Sequence, residues 1–454
     1  MRFDFFRRSE SGNETTDPAP PVESAPVSNA APEAMAISDA TASAAVPYAE
    51  QGHIVHAMLL DSRKRAVGYR LAWRPIGGSV GQGGPAGFKR MAKAISQHLN
   101  SGGLAWALGE MELFVDATIE SLFASELQEL PAEHTVLCMS MQDLSDLDAR
   151  PMLLYLREQG FGFMLSGAAA FPEDPELRRI VTHMDVGAAD PLALARMSEG
   201  PDPLRVQWIA TRIHNLGDLD ASANYHLKAF VDGGFPLLPT GRVADALQPD
   251  AQFIVQLMRM IHRNEDTREI EAVLKLDARL TYRLLRHINS PTIGGGVEIH
   301  SLRHAVSVLG YTPMFRWLTM LLASSHSTAG TPYMTKKAAI RGRFLELLAQ
   351  GLLPPAEADN LFVVGMLSLI DQLLGVPMQE ILGHVHLPMP VQDAILRRSG
   401  VYGAFLALAE SCESDGALVA ELSEELFLSQ DQVNGAHLAA LAWAQDIGTA
   451  ADGA

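Results

Sequence analysis

An α/β half followed by an all-α half is the fold class that this sequence predicts, and three observations carry it. Short strand-like runs alternate with helical ones from about residue 53 to 239. Strand signals then stop, and amphipathic helical runs succeed one another to about residue 447. Ahead of both, residues 9–47 are dominated by Ala, Pro, Ser, Thr and Glu, with six acids and no Lys or Arg. That stretch buries too little apolar surface to offset its ordering entropy, so residues 1–48 read as a disordered acidic tail.

In order along the chain, residues 55–74 read as a strand pair around a turn at Asp61-Ser62-Arg63, and 88–99 as a helix. Strands follow at 113–116, 135–141, 161–165, 182–186 and 206–210. Helices are expected between them at 149–159 and 175–180 and around 192–197, with a last one at 221–231. Strand–helix alternation with short connections implies a mostly parallel sheet with helices outside it. This many units between residues 52 and 240 predict a modified (β/α) barrel.

From 241 to 448 every readable element is a helix. Asp250 precedes a stripe of Phe253, Ile254, Leu257, Met258 and Ile261. Asp266 and Glu269 have capping-box spacing, as do Ser429 and Gln432. Ser301 caps a helix at 304–309 that Gly310 stops, and Pro313 opens one that ends near 324. Further helices are predicted at 336–349, 360–374, 390–398, 402–413, 417–425 and 430–447.

Composition narrows the partners. Of 454 residues, 35 are Lys or Arg and 53 Asp or Glu, a net charge of −18 that a phosphate backbone repels, so no nucleic acid is expected. Cys138 and Cys412 make neither a disulfide framework nor a Cys-rich zinc site. No run reaches the roughly 18–20 apolar residues of a bilayer span, and MRFDFFRRSES has no signal-peptide core. A cytoplasmic protein is the expectation.

Two stretches carry a resemblance. VGYRLAWR at 67–74 resembles the first motif of the EAL domain of cyclic di-GMP phosphodiesterases, roughly G-x-E-A-L-x-R-W. LDARLTYRLLRHINS at 276–290 resembles the HDOD domain, a fold related to HD hydrolases. Three more segments fit it: IHSLRHAVSVLG at 299–310, RWL at 316–318 and FVVGMLSLID at 362–371. The chain is thereby identified as a member of the EAL–HDOD signal-transduction family, over about residues 53–447.

An active EAL enzyme uses metal ions held by carboxylates and an Asn to activate water. Carried over by position, the resemblance puts the Glu of the first motif on Arg70 and the next strand's Asn on Asp116. The following Glu falls on Cys138, and the Asp pair near Ser166 and Gly167. The Lys of the Lys-x-Asp strand becomes His183 while Asp185 survives, and the two late Glu positions hold Thr211 and His214. Arg, Ser and Gly do not hold a hard divalent ion. In the helical half there is no His-Asp dipeptide and no H-E-x-x-H. No catalytic residue, metal ligand or cofactor is expected, and the chain is expected not to be an enzyme.

Binding is a separate matter. Arg74 falls on the position whose family counterpart contacts the dinucleotide phosphate, a role its planar fork suits. A strand-end surface cation is the plainer reading. Arg74 and Asp185 are the candidate ligand-binding residues if cyclic di-GMP is bound. The glycine-rich 77–87 segment lacks a P-loop ending, and its Gly77-x-Ser79-x-Gly81 lacks the strand-to-helix turn of a nucleophile elbow, so it reads as a mobile loop. His384 and His386 read as loop residues. Arg316-Trp317 and the basic 336–343 cluster are points of interest for a partner, with a solvated helix face as the plainer reading.

The function expected is that of a non-catalytic signalling or scaffold protein in a cyclic di-GMP-related pathway, acting by protein–protein contact. The alternatives are a cyclic di-GMP receptor and a residual phosphodiesterase. Partners expected are other signalling proteins, cyclic di-GMP and a second copy of the chain.

Overall fold

The computed structural model describes residues 51–78, 83–100, 108–167, 172–187, 206–211, 227–232, 247–277, 280–284, 309–325, 331–385 and 387–446. Eight strands close into one barrel in chain order: β1 (Gly52–Leu60), β2 (Ala66–Pro75), β3 (Glu112–Asp116), β4 (Thr135–Ser140), β5 (Gly162–Ser166), β6 (His183–Asp185), β7 (Gln207–Ala210) and β8 (Ala229–Val231). The strand pair expected at 55–74 is the β1–β2 hairpin. Its turn is held by Asp61, whose carboxylate accepts the N–H groups of Arg63 and Arg65, both at 2.9 Å. β2 to β8 run parallel, and β8 returns antiparallel against β1 through Leu59 and Leu60.

That closure corrects one expectation. Residues 221–231 read as a helix, but Ala229–Val231 is β8, with Ala229 and Phe230 paired to Ile209 and Ala210. A three-residue strand gives almost no periodic signal, and only the partner strands on either side fix it. Residues 212–226, and the helix expected around 192–197, lie outside the described residues, as do the tail, Ser79, Ser301, His214 and His386.

Period-2 alternation sorts the barrel. Leu59, Phe114, Val136, Cys138, Met164, Ile209, Ala229 and Val231 face inward and form a small core of their own. The outward residues join the main core with helices α1 (Gly84–Asn100), α2 (Met141–Leu144), α3 (Arg150–Glu158) and α4 (Pro175–Ile180). α1 shows why: Phe88, Met91, Ala92 and Ile95 recur at helical spacing and are buried.

The second half contains α5 (Pro249–His262), α6 (Thr267–Leu274), α7 (Tyr311–Ala323), α8 (Thr331–Ala349), α9 (Pro355–Leu367), α10 (Ile370–Leu374), α11 (Met378–Val385), α12 (Met389–Arg397), α13 (Gly400–Cys412), α14 (Val419–Glu425) and α15 (Gln430–Trp443). Asp266 caps α6 through the Arg268 N–H at 2.8 Å, and the Ser429–Gln432 capping box of α15 is formed. The single helix expected at 360–374 is broken between α9 and α10. There Ser368 turns its hydroxyl onto the Gly365 carbonyl at 2.7 Å and accepts from Arg341 at 2.8 Å. α11 was not foreseen, and it places His384 in a helical last turn rather than a loop.

α8 and α9 cross at bare backbone. A Cβ on Gly365 would lie 2.5 Å from the Gly342 Cα, so only glycine permits this approach. The main core is continuous from Ile54, Met58 and Leu60 of β1 to Phe344 and Leu441 of the helices. Barrel and helices therefore share one apolar interior. Among the described residues no helix is long and apolar enough to cross a membrane.

Candidate ligand site at the barrel mouth

The C-terminal ends of the parallel strands gather the residues that the motifs singled out. Arg70 of β2 reaches over to Asp116 at the end of β3. Its Nε and Nη2 donate to one carboxylate oxygen at 3.0 and 2.9 Å. The charge of Asp116 raises the guanidinium pKa further, with burial opposing and Asp185 adding to the same side. Cys138 sits across the ladder from Asp116 and is buried, which pushes its thiol pKa up despite the nearby Arg70 cation. It is a neutral thiol.

Asp185 ends β6, buried. Its Oδ1 accepts from the Thr211 hydroxyl at 2.6 Å and from the Gly187 N–H at 2.8 Å. Ser166 ends β5 with a buried hydroxyl that has no partner among the described residues. His183 lies one inward position below Asp185, between Thr182 Oγ1 at 2.8 Å and Gln207 Oε1 at 3.0 Å. Burial lowers its pKa to about 3, so the ring is neutral. The floor is closed by Glu112, which takes Lys228 at 2.5 Å.

Arg74 stands higher on β2, at the rim. In the β1–β2 ladder it pairs with His53, above Val55–Ala72 and Ala57–Arg70, all on the face that lines the barrel. Its Nη1 donates to the Asp415 carbonyl of the α13–α14 loop at 2.6 Å. It is half-buried at the strand end and engaged there by the helical half.

The residues a phosphodiesterase would use for metal ions can be tested on this geometry. A divalent pair needs several converging oxygen ligands. Asp116 is committed to a guanidinium, Cys138 carries its proton, and Asp185 is bonded to a hydroxyl and an amide. Among the described residues no group of three His, Cys, Asp or Glu is placed to hold a metal ion. These residues do not fit a metal pair, and no step through one is derived.

Sequence reading also pointed to two basic features in the helices, and the structure pairs both with acids, burying the cations at 336, 337 and 341 and half-burying Arg316. Lys336, Lys337 and Arg341 are buried. Arg341 takes Glu413 with both ends of its fork, at 2.8 and 2.6 Å, and Lys337 takes Asp232 of the barrel at 2.8 Å. Arg316 is bound by Glu346 at 2.6 Å and Asp359 at 2.8 Å and stacks over Phe362, while Trp317 is core.

Comparison with known proteins now decides the second half. Residues 247–379 match the HDOD domain. The helical half contains an HDOD domain. The order expected from the motifs, a closed barrel followed by HDOD helices, is what the chain shows. Along most of its length it is similar to the cyclic di-GMP phosphodiesterase CdgJ of Vibrio cholerae serotype O1, with 23% identity over 87% of this chain and 93% of CdgJ. It is similar to the same degree, 23%, to the uncharacterized protein YuxH of Bacillus subtilis, over 86% of this chain and 97% of YuxH.

Solved structures that resemble part of the chain include a standalone EAL protein from Vibrio cholerae O395 in its cyclic di-GMP-bound form. It has a TM-score of 0.30 and 12% identity, over 41% of this chain and 91% of that one. BlrP1 of Klebsiella pneumoniae, complexed with manganese and the dinucleotide, gives a TM-score of 0.32 and 16% identity, over 40% and 54%.

The expectation that the chain is not an enzyme is corrected by CdgJ, a relative similar over most of this chain and named a phosphodiesterase. What sequence reading missed at the site is the α13–α14 loop on Arg74. No local signal marks it, because Arg74 and Asp415 are 341 positions apart and the contact uses a backbone carbonyl.

Proposed function

We propose that the chain works in cyclic di-GMP signalling and takes the dinucleotide at the mouth of its barrel. Arg74 is the phosphate contact and Asp185 a polar contact deeper in the mouth. The observation that carries this reading is the similarity to CdgJ across both halves, a protein named for that nucleotide. The position of Arg74 on the inward face of the rim agrees with it. Titration calorimetry with cyclic di-GMP tests it. Saturable binding is expected, weakened at least tenfold by Arg74→Ala, since a charge-assisted Arg–phosphate contact contributes roughly 1.5–3 kcal/mol. Absence of any binding by the full chain overturns it.

The name of the relative also favours turnover as a second reading. Release of linear pGpG from cyclic di-GMP, followed with and without added divalent metal, decides between binding and hydrolysis. Contacts with other signalling proteins, or with a second copy of the chain, are assigned on this reading to the HDOD half. Light scattering of the full chain with and without the nucleotide reports the second of these.

A further inference from the structure

We infer that the α13–α14 loop of the HDOD half is a latch across the barrel mouth, held by Arg74 and released when a phosphodiester takes that guanidinium. The inference rests on the reading of the mouth as a cyclic di-GMP site and adds its regulation.

Three observations place the latch. The loop follows α13 at Glu413 and sits on inward-facing rim residues of the β1–β2 ladder. A Cβ on Gly416 would come within 2.6 Å of Val55 Cγ1 and 3.0 Å of Arg74 Cδ, and Gly416 has a φ of +69°. Only glycine lets the loop lie this close. Arg74 is the polar fastening, through its 2.6 Å bond to the Asp415 carbonyl. Beside it, His53 is 3% exposed, and its Nδ1 has no partner among the described residues.

The loop also holds its own shape. Gly416 N–H bonds the Ser411 carbonyl at 3.0 Å, Ala417 N–H the Asp415 carboxylate at 3.0 Å, and Leu418 N–H the Ser411 hydroxyl at 3.2 Å. Such a turn moves as a unit. A carbonyl is a neutral acceptor, whereas a phosphodiester oxygen is charged and makes a bond roughly twice as strong with the same guanidinium. The ligand therefore competes with the loop for Arg74. Release is felt in the helices, because Glu413 at the root of the loop is gripped by Arg341 and lies 3.7 Å from Lys337, which holds Asp232 at the end of β8.

Hydrogen–deuterium exchange on the full chain, with and without cyclic di-GMP, tests the latch. Nucleotide is expected to speed exchange in the peptide covering 411–418. Gly416→Ala, which lifts the loop, is expected to bind cyclic di-GMP three- to tenfold more tightly than the natural chain. Asp415→Ala changes an exposed side chain and loosens only the turn, so it serves where the glycine variant does not fold, with a smaller gain. Binding by the natural chain with unchanged or slower exchange in 411–418, and with variant affinities equal to its own, overturns the latch and leaves the site standing. Failure of the natural chain and both variants to bind overturns the site itself, and the latch with it.

Discussion

The ring of His437 meets the ring of His56 across the seam between α15 and β1, with Nε2 of the first 2.8 Å from Nδ1 of the second. Neither ring reaches solvent. His437 Nδ1 faces the Ile54 carbonyl at 3.1 Å, and a carbonyl only accepts, so that nitrogen carries the proton. Its Nε2 is then the acceptor and His56 Nδ1–H the donor. A proton on His437 Nε2 would remove that acceptor, and burial disfavours charge on either ring.

Stability should therefore fall with acid in a defined window. Burial lowers the pKa of His56 to about 4 and that of His437 to about 3, and burial does the same to His53, at about 4, and His183, at about 3. Above the unfolded value of about 6.5 the rings are neutral in both states and contribute no slope. Below it the unfolded chain takes up protons that the folded chain refuses, so stability drops as pH falls from 6.5 toward 4. The expected loss is roughly 2 kcal/mol per ring between pH 7 and 5. Urea unfolding at pH 7.5, 6 and 5 measures it, and a flat midpoint across that range would exclude neutral buried rings.

The ion pair of Asp232 with Lys337 makes a second prediction. Both side chains are buried, and the Tyr333 hydroxyl donates to the same carboxylate oxygen. Removing one partner strands the other in the seam. Asp232→Ala should cost about 3 kcal/mol. The double variant with Lys337→Met should cost less than the sum of the two singles, as chemical denaturation of all three would show.

The crossing of α8 and α9 allows little adjustment. Gly365→Val would drive its side chain into the backbone of Gly342, at 2.5 Å already from the Cβ position. Backbone does not yield as a flexible side chain does, so the helices must part. A loss of about 1–3 kcal/mol is expected, read as a lower thermal midpoint. An unchanged midpoint would mean that the helices do not meet here.

Arg70 and Asp116 should be coupled rather than independent. Their side chains keep 26% and 16% of their exposure, which screens the pair in part. A double-mutant cycle with Arg70→Met and Asp116→Asn is expected to return a coupling of about 1 kcal/mol. A value near zero would show the contact to be incidental.

Much of this architecture is legible in the sequence, and the gaps have physical causes. Helices announced by caps and stripes, such as those beginning after Asp266 and Ser429, follow from local chemistry. β8 did not, because three residues are a strand only by virtue of Ile209 and Leu59 beside them. At the mouth, Arg70 could be placed from its motif, but that it is bound to Asp116 is a tertiary fact. Likewise the basic run at 336–343 has the composition of a solvated face. It is buried because Asp232, Glu410 and Glu413 arrive from distant segments to neutralise it.

The upper half of β1 has β2 on one side, and on the other, among the described residues, no strand beyond Leu59 and Leu60. One turn after another of α15 supplies the missing neighbour. Gln430 takes the Gly52 N–H at 3.1 Å, Asn434 takes the Ile54 N–H at 2.8 Å, and His437 meets the Ile54 carbonyl. A chain cut off after its barrel would leave those groups bare, an open edge ready to zip onto a strand of any neighbouring molecule. The helical half thus acts as the barrel's guard against clumping, and a fragment lacking it should be recovered as aggregate.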